Sequence, residues 1–169
     1  MENLKEIKIN LVNNWIKIVG LFMAVALISC DGNRFFEKHV QIESSDWLHG
    51  EPVVIESPEL TDTTAVYHCL LDIRHFTNYP FSNIYLRIKT IYPSGKEVMF
   101  DLPSIDLQDK NGYWYGEGSS DLRDMRVYFK RNVKFDESGV YRFEVQHRMR
   151  KEVLTGVSDI GIRLEFAGK

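Results

Sequence analysis

The chain has 169 residues, of which 44% are hydrophobic and 12% aromatic, and this content offsets the entropy of folding and excludes a mostly disordered protein. A formal net charge of -3 with scattered Lys and Arg excludes a basic nucleic-acid-binding protein, and two cysteines exclude a disulfide scaffold. No apolar run reaches the about 20 residues that a membrane-spanning helix needs, so composition predicts one globular domain and no particular activity.

Residues 1–29 predict a bacterial lipoprotein signal peptide. Three lysines form a positive leader, and an apolar run of 11 residues follows at 18–28. The run ends in Leu27-Ile28-Ser29-Cys30, which fits the lipobox that precedes a lipidated cysteine. It is too short for a transmembrane anchor and lacks the polar face of an amphipathic helix. We therefore expect cleavage before Cys30, a covalent lipid including palmitate on Cys30, and no other cofactor.

Cleavage would remove three lysines and two glutamates and change the formal charge from -3 to -4. Several acyl chains, at about 0.8 kcal/mol per buried CH₂, would anchor the mature chain stably in a membrane. The predicted organisation is a signal peptide at 1–29, a polar lipidated tether at 30–45 and a domain at 46–169. Cys69 is then left without a partner, and its strand-like surroundings predict a buried, inert thiol.

From Trp47 onward the hydrophobic period is mostly two, which predicts β-strands. In 84–92 apolar side chains alternate with polar ones, as in a strand with one buried face. The turn sequence Pro93-Ser94-Gly95 then predicts a hairpin with a second strand at 96–102.

The same alternation predicts strands at 140–147 and at 160–166, the last with one buried face. Further strands are predicted at 52–56, 65–75, 113–117 and 126–130. About eight short strands separated by turns predict an all-β fold, a single antiparallel β-sandwich. A single helix capped by Ser120 is conceivable at 119–125, although the period there is poor.

The sequence contains few signs of chemistry. It has no HExxH pair, no G-x-S-x-G elbow and no phosphate-binding glycine loop, so we expect no enzyme activity and no metal site. A hydrolase whose carboxylates are assembled by the fold remains an alternative. Asp109 and Asn111 have the alternation of a calcium loop, but Lys110 favours a polar hairpin turn. The histidines are expected to be exposed or hydrogen-bonded, and they are His39, His49, His68, His75 and His147.

Aromatic residues give the stronger signals. On a strand, Tyr113 and Tyr115 would share one face and Trp114 would occupy the other. Such rings stack on sugars or anchor a protein partner, and packing into the core is the alternative. The apolar, turn-forming segment 76–83 is either a packed corner or a recognition loop, and we favour the corner.

Four sequence blocks occur in a characteristic order, and they are Cys30-Asp31-Gly32-Asn33-Arg34, Asp46-Trp47, 74–86 and 156–163. Together they resemble the GldH family of gliding-motility lipoproteins from Bacteroidetes over essentially the whole mature chain. The resemblance implies a non-enzymatic envelope lipoprotein with its lipid on Cys30. In gliding members of the phylum such proteins are associated with the machinery that moves cells over surfaces.

The resemblance also implies a location and partners. Surface-exported lipoproteins of the phylum tend to carry an acidic stretch after the cysteine, whereas Asp31-Gly32-Asn33-Arg34 has one acid and one base. We therefore expect an outer-membrane anchor facing the periplasm, with envelope or motility proteins as partners. Asp62-Thr63-Thr64 resembles the phylum's O-glycosylation acceptor, with Thr63 modified, although a turn capped by Asp62 explains it equally well. We expect an assembly or scaffold role, or alternatively carbohydrate binding through Tyr113, Trp114 and Tyr115.

Overall fold

The computed structural model describes residues 32–168, and these residues form an all-β structure. The predicted signal peptide and Cys30 lie outside the described residues. A short 3-10 turn at Glu43–Ser45 is the only helical element in the described range, and no helix there has the length and apolarity to cross a membrane. The strands are β1 Arg34–Gln41, β2 Asp46–Leu48, β3 Val53–Glu56, β4 Val66–Phe76, β5 Asn83–Ile84, β6 Leu86–Ile91, β7 Glu97–Asp101, β8 Ile105–Asp106, β9 Leu122–Lys134, β10 Arg142–His147, β11 Val153–Thr155 and β12 Val157–Phe166.

Eight of these strands form two four-stranded antiparallel sheets. The first sheet has the order β1-β12-β4-β9, and the second has the order β3-β10-β6-β7. In the first sheet Ile162 of β12 pairs with Leu71 of β4, and Ile73 of β4 pairs with Met125 of β9. The strands β9 and β7 are therefore end strands of their sheets. Two short pairs, β11-β2 and β5-β8, complete the pairing between named strands within 32–168.

Apolar side chains of both sheets share one buried core. Alternate residues of β4 and β12 point into it, among them Leu71 and Ile162, and β10 of the second sheet contributes Phe143. The rings of Phe129 and Phe143, one from each sheet, lie 6.5 Å apart between centroids. Burial of each large apolar side chain contributes about 1.5–3 kcal/mol, so the period-two pattern directs both sheets onto this core.

The hydrophobic alternation located most of the long strands. The predicted hairpin at 84–102 is β6 and β7, closed by a hydrogen bond from the Tyr92 N–H to the Lys96 carbonyl at 2.8 Å. Gly95 has a φ of 85° in this turn, a conformation that favours glycine. The strands predicted near 52–56, 65–75, 126–130, 140–147 and 160–166 are β3, β4, β9, β10 and β12. The extra short strands have two or three residues, too few to show alternation.

The predicted tether at 30–45 is too long, because residues 34–41 form strand β1 at the edge of the first sheet. The charged residues that suggested a linker are paired across the sheet instead. Glu37 of β1 accepts hydrogen bonds from Arg163 of β12 and Arg126 of β9. Polarity in this segment therefore reflects ion pairing on a strand face and not a solvated linker.

One other local prediction was wrong, and a helix considered next to it does not form. Residues 113–117 form no strand, since only isolated bridges link Gln108 to Trp114 and Glu117 to Asp124. The helix considered at 119–125, where the period is poor, does not form, because β9 begins at Leu122 and pairs with the end of β4. Glycines with positive φ on both sides of Glu117 interrupt an extended strand here.

The last strand, β12, is buried on both faces and not on one as predicted. It lies between β1 and β4 in the sheet, and on one face Ile160, Ile162 and Leu164 enter the core shared with the second sheet. On the other side Arg163 is only 3% exposed, because the carboxylates of Glu37 and Glu165 cover it. The alternation of side chains was predicted correctly, but the polar face of β12 is also buried, because ion pairs cover it.

Candidate functional site

The segment that carries the three predicted interaction residues begins in a tight polar turn. The Asp109 carboxylate accepts hydrogen bonds from the backbone N–H groups of Asn111 and Tyr113, each at 2.8 Å. These bonds hold the pKa of Asp109 below its usual value. The structure therefore shows at 109–113 the polar turn that the sequence analysis favoured over a calcium loop.

The three aromatic residues of this segment are divided between solvent and core. Tyr113 is 73% exposed and Tyr115 is 46% exposed. Trp114 is half-buried and packs against the core, with its ring centroid 4.7 Å from that of His75. The predicted opposition of Trp114 to the two tyrosines holds, but Trp114 serves packing and leaves two tyrosines as the accessible surface.

An apolar groove adjoins Tyr115 and runs between the end strands of the two sheets. One wall comes from β7 and the segment after it, and the other from β9. Phe100 and Tyr128 are 36% and 42% exposed at its rim. The apolar and aromatic side chains that line it include Phe100, Leu102, Tyr115, Met125, Val127 and Tyr128. Exposed aromatic rings concentrated beside an apolar groove are typical of a docking surface.

The groove is also bordered by two open sheet edges. In the described part of the chain β7 pairs only with β6, and β9 pairs with β4 and, at Asp124, with Glu117. Open edges present backbone N–H and C=O groups to a partner strand. Two cations lie over the aromatic rings beside these edges: Lys130 Nζ lies 5.9 Å from the Phe100 ring centroid, and the Arg131 guanidinium lies 3.5 Å from that of Tyr128. Such charges are common on edges that must not aggregate.

A second notable feature is a charged cluster on the outer face of the first sheet. Ligand atoms of Glu37, His39 and Asp72 lie within 4.8 Å of one another. Arg126 donates to both carboxylates, at 2.5 and 2.8 Å to Asp72 and 2.8 Å to Glu37, and Arg163 donates to Glu37 at 2.5 Å. Because two guanidinium groups already engage the carboxylate oxygens, this arrangement favours an ion-pair network over a cation site.

The network shifts the pKa values of its members. Burial alone would raise the pKa of Asp72, but hydrogen bonds from His39 and Arg126 lower it below its usual value. For Glu37 burial is likewise outweighed, by Arg163 and Arg126, and its pKa is lowered. The hydrogen bond to Asp72 raises the pKa of His39. Carboxylates held ionised in this way are poor candidates for a general acid.

Two histidines are buried, and of these His147 departs from the expectation of an exposed or hydrogen-bonded ring. His75 is fully buried, and its Nδ1 lies 2.9 Å from the Phe76 carbonyl while its Nε2 has no hydrogen-bond partner. His147 is 1% exposed and neither ring nitrogen makes a hydrogen bond, although the carbonyls of Trp47 and Leu48 attract its charged form. Burial lowers the pKa of both, so both rings are held neutral.

Cys69 is buried as predicted. It is 1% exposed on β4, and burial raises the pKa of its thiol to about 12. A thiol with so little thiolate at neutral pH is a poor nucleophile.

The segment around Thr63 forms the turn that was the alternative to a glycosylation signal. The Asp62 carboxylate accepts hydrogen bonds from the N–H and hydroxyl of Thr64, at 2.9 and 2.6 Å. Thr63 itself is exposed, so its O-glycosylation stays a prediction. The segment 76–83 is the packed corner that we favoured, because Tyr79 is only 3% exposed within it.

Comparisons with known proteins agree on one family. A family model described as GldH lipoprotein matches residues 34–164. A gliding motility lipoprotein GldH homolog from Christiangramia forsetii is 34% identical over 154 residues, covering 87% of this chain and 93% of that protein. The gliding motility lipoprotein GldH of Flavobacterium johnsoniae is 30% identical over 152 residues, covering 86% and 92%.

Solved structures show a weaker likeness. A xylan-binding domain matches with a TM-score of 0.39 and 10% identity, covering 83% of this chain and 99% of that one. The K1 cleaved adhesin domain of Lys-gingipain from Porphyromonas gingivalis has a TM-score of 0.39 and 10% identity, covering 83% and 88%. At these values neither likeness carries a functional inference.

Proposed function

The chain belongs to the GldH lipoprotein family, and from this premise we propose that it is a non-enzymatic assembly component that acts through protein–protein contacts. Its relatives are named gliding motility lipoproteins, which supports a lipid-anchored location in the cell envelope. The observation that carries the proposal is the apolar groove between β7 and β9, with Phe100, Tyr115 and Tyr128 exposed beside two open sheet edges. This combination of rings and edges suits a protein partner.

The proposal includes the anchor and its location. A signal peptide at 1–29 would direct export, and acylation of Cys30, including palmitate, would hold the mature chain in the outer membrane facing the periplasm. Partners would be other envelope or motility-machinery proteins. Because the two four-stranded sheets share one core, we interpret the domain as a β-sandwich. It would present the apolar groove between β7 and β9 to these partners.

A carbohydrate-binding role is the second candidate, and the exposure of two tyrosines favours it. Tyr113 and Tyr115 are accessible, and tyrosine rings stack on sugar faces. The half-buried Trp114 does not extend this platform. The groove lining is mostly apolar, which favours the protein partner over a polar sugar.

The test is affinity purification of the tagged protein from crosslinked cells, followed by mass spectrometry. Four forms are compared: wild type, Cys30→Ala, the double variant Phe100→Ala with Tyr128→Ala, and Tyr85→Ala. Tyr85 is 45% exposed but lies outside the groove, so it controls for loss of an exposed tyrosine. We expect wild type and Tyr85→Ala to recover the same envelope proteins, and the other two forms to lose them.

Each other outcome has a defined meaning. Recovery of no envelope protein with wild type would contradict the assembly role. An unchanged set with the double variant would exclude the groove as the contact site. Recovery of polysaccharide or peptidoglycan fragments in place of envelope proteins would favour the carbohydrate-binding alternative.

A further inference from the structure

The strand register of the first sheet defines one end of that sheet. Arg34 at the start of β1 pairs with Glu165 near the end of β12, and the Phe166 N–H donates to the Asn33 carbonyl at 2.9 Å. Val66 at the start of β4 pairs with Lys134 at the end of β9. We call this the anchor end, defined by Arg34, Val66, Lys134 and Phe166.

The opposite end of the sheet carries the aromatic segment. There Phe76 at the end of β4 pairs with Leu122 at the start of β9. Glu117 bridges to Asp124 close to this point, and Trp114 packs against His75 of β4. The segment with Tyr113 and Tyr115 therefore lies at the end of the sheet away from Arg34.

The distance between the two ends follows from strand geometry. β4 has 11 residues, and a strand rises about 3.3 Å per residue, so the ends are separated by roughly 35 Å. This distance exceeds the thickness of one headgroup layer, which is on the order of 5–8 Å. Both ends cannot touch the same flat membrane surface when one of them is held against it with the strands upright.

The length of chain before the sheet limits how far the anchor end can be from the lipid. Cys30 lies four residues before Arg34, and a fully extended chain spans at most about 3.6 Å per residue, which gives about 14 Å between these Cα atoms. A polar tether extending to residue 45 would have allowed several times this reach. Because β1 begins at Arg34, the sheet starts almost directly at the acylated residue.

We propose that the anchor end is a membrane-contact surface that lies against lipid headgroups and holds the Tyr113 end away from the bilayer. This inference rests on the lipidation of Cys30 in the proposed function. Lys134 is exposed at this end, as is Arg34, which also lies 3.5 Å from Glu37, and both would supply cations for lipid phosphates. The rings of Phe35 and Phe166, 5.4 Å apart between centroids, are half-buried beside them. Partners would then be met by the end of the domain that faces the aqueous compartment.

The test uses the mature lipidated protein in liposomes that contain a lipid with a spin-labelled headgroup. A fluorophore is attached at Thr63→Cys, in the turn just before β4, or at Tyr113→Cys at the opposite end. Both positions are exposed, and the buried Cys69 is only 1% accessible to the reagent. We expect loss of fluorescence for the label at 63 and no loss for the label at 113.

A spacer variant separates orientation from simple proximity. Insertion of 15 Gly and Ser residues between Gly32 and Asn33 gives a flexible segment with a root-mean-square length of roughly 20 Å. We expect this insertion to reduce quenching at 63. Equal quenching of the two labels without the spacer, or stronger quenching at 113, overturns the proposal.

The lipid state of the protein is measured on the same sample by intact-mass spectrometry. A mature chain without lipid on Cys30 overturns both this proposal and the anchor of the proposed function. A lipidated chain whose two labels are quenched equally overturns only the membrane-contact surface. The two failures are therefore distinguishable.

Discussion

Asp72 and Arg126 face each other across β4 and β9 as a bidentate ion pair. Arg126 Nε lies 2.5 Å from Asp72 Oδ1, and Arg126 Nη2 lies 2.8 Å from Asp72 Oδ2. His39 of β1 approaches the same carboxylate at 3.1 Å. Asp72, on the inner strand β4, thus contacts residues of both edge strands, His39 of β1 and Arg126 of β9, and this makes it the central residue of the network.

Replacement of Asp72 by Asn should destabilise the protein by about 1–3 kcal/mol, because it leaves Arg126 and His39 without their shared carboxylate. Arg126 is part-exposed, and solvent screening keeps the loss in this range. Urea unfolding of wild type and Asp72→Asn measures this loss of unfolding free energy. The control is Arg87→Ala, which breaks the exposed pair with Asp101 and should cost less. Equal losses for the two variants would contradict a structural role of the network.

The His39–Asp72 contact should stabilise the protein at low pH and not at high pH. The hydrogen bond to Asp72 raises the folded-state pKa of His39 above 6.5, so its contribution is full below 6.5 and is lost as the pH rises through the raised pKa. Glu37 and Arg74 also face this ring. The unfolding free energies of wild type and His39→Gln, compared at about pH 5.5 and about pH 8.5, should differ more at the lower pH. A larger difference at the higher pH would reverse the assigned sign.

Gly116 should be essential for placing the aromatic segment. It has a φ of 86°, and a Cβ added there would collide with the Asp124 carbonyl oxygen of β9. Gly116→Ala should therefore cost about 2–4 kcal/mol, from positive-φ strain and displaced backbone together. Gly112→Ala is the matched control, because Gly112 has a φ of 85° with open space around its Cα.

The control Gly112→Ala should lower the free energy of unfolding by only about 1–2 kcal/mol, because it adds positive-φ strain without a backbone collision. Urea unfolding of both variants gives the comparison, and hydrogen exchange of the Tyr115 amide reports whether the segment is displaced. Similar losses in both variants would show that the approach of Gly116 to Asp124 does not matter.

His147 should make the protein less stable in mild acid. Burial lowers its folded-state pKa below 6.5, and His49 adds to the effect. The unfolded state therefore binds a proton first, and stability is lost as the pH falls from 6.5 toward the lowered pKa. His147→Met removes the titrating group and should weaken the pH dependence between about pH 7.5 and about pH 5. An unchanged dependence would assign the acid sensitivity elsewhere, with His75 as the next candidate.

The long core strands could be predicted from the sequence because one face of each is apolar and the period is two. This holds for β6, whose buried and half-buried residues alternate, and for β10, where the buried Phe143 and Val145 alternate with polar residues. Strand β1 was missed because its polar residues pair with Asp72 and Arg163, which are distant in sequence. One signal was present, since Asp72 interrupts the apolar run Leu70-Leu71-Asp72-Ile73 and a charge in such a place needs a partner.

The sequence by itself determined the family and the all-β class, because these depend on the order of local sequence blocks and on alternation along single strands, whereas the division of the chain before Cys30 stays a prediction. Only the tertiary structure decided where the sheet begins, which aromatic residues are accessible, and that an apolar groove forms between β7 and β9. The physical reason is that strand pairing joins residues far apart in the chain. Tyr115 and Phe100 line one groove because β9 and β7 end their respective sheets around a shared core.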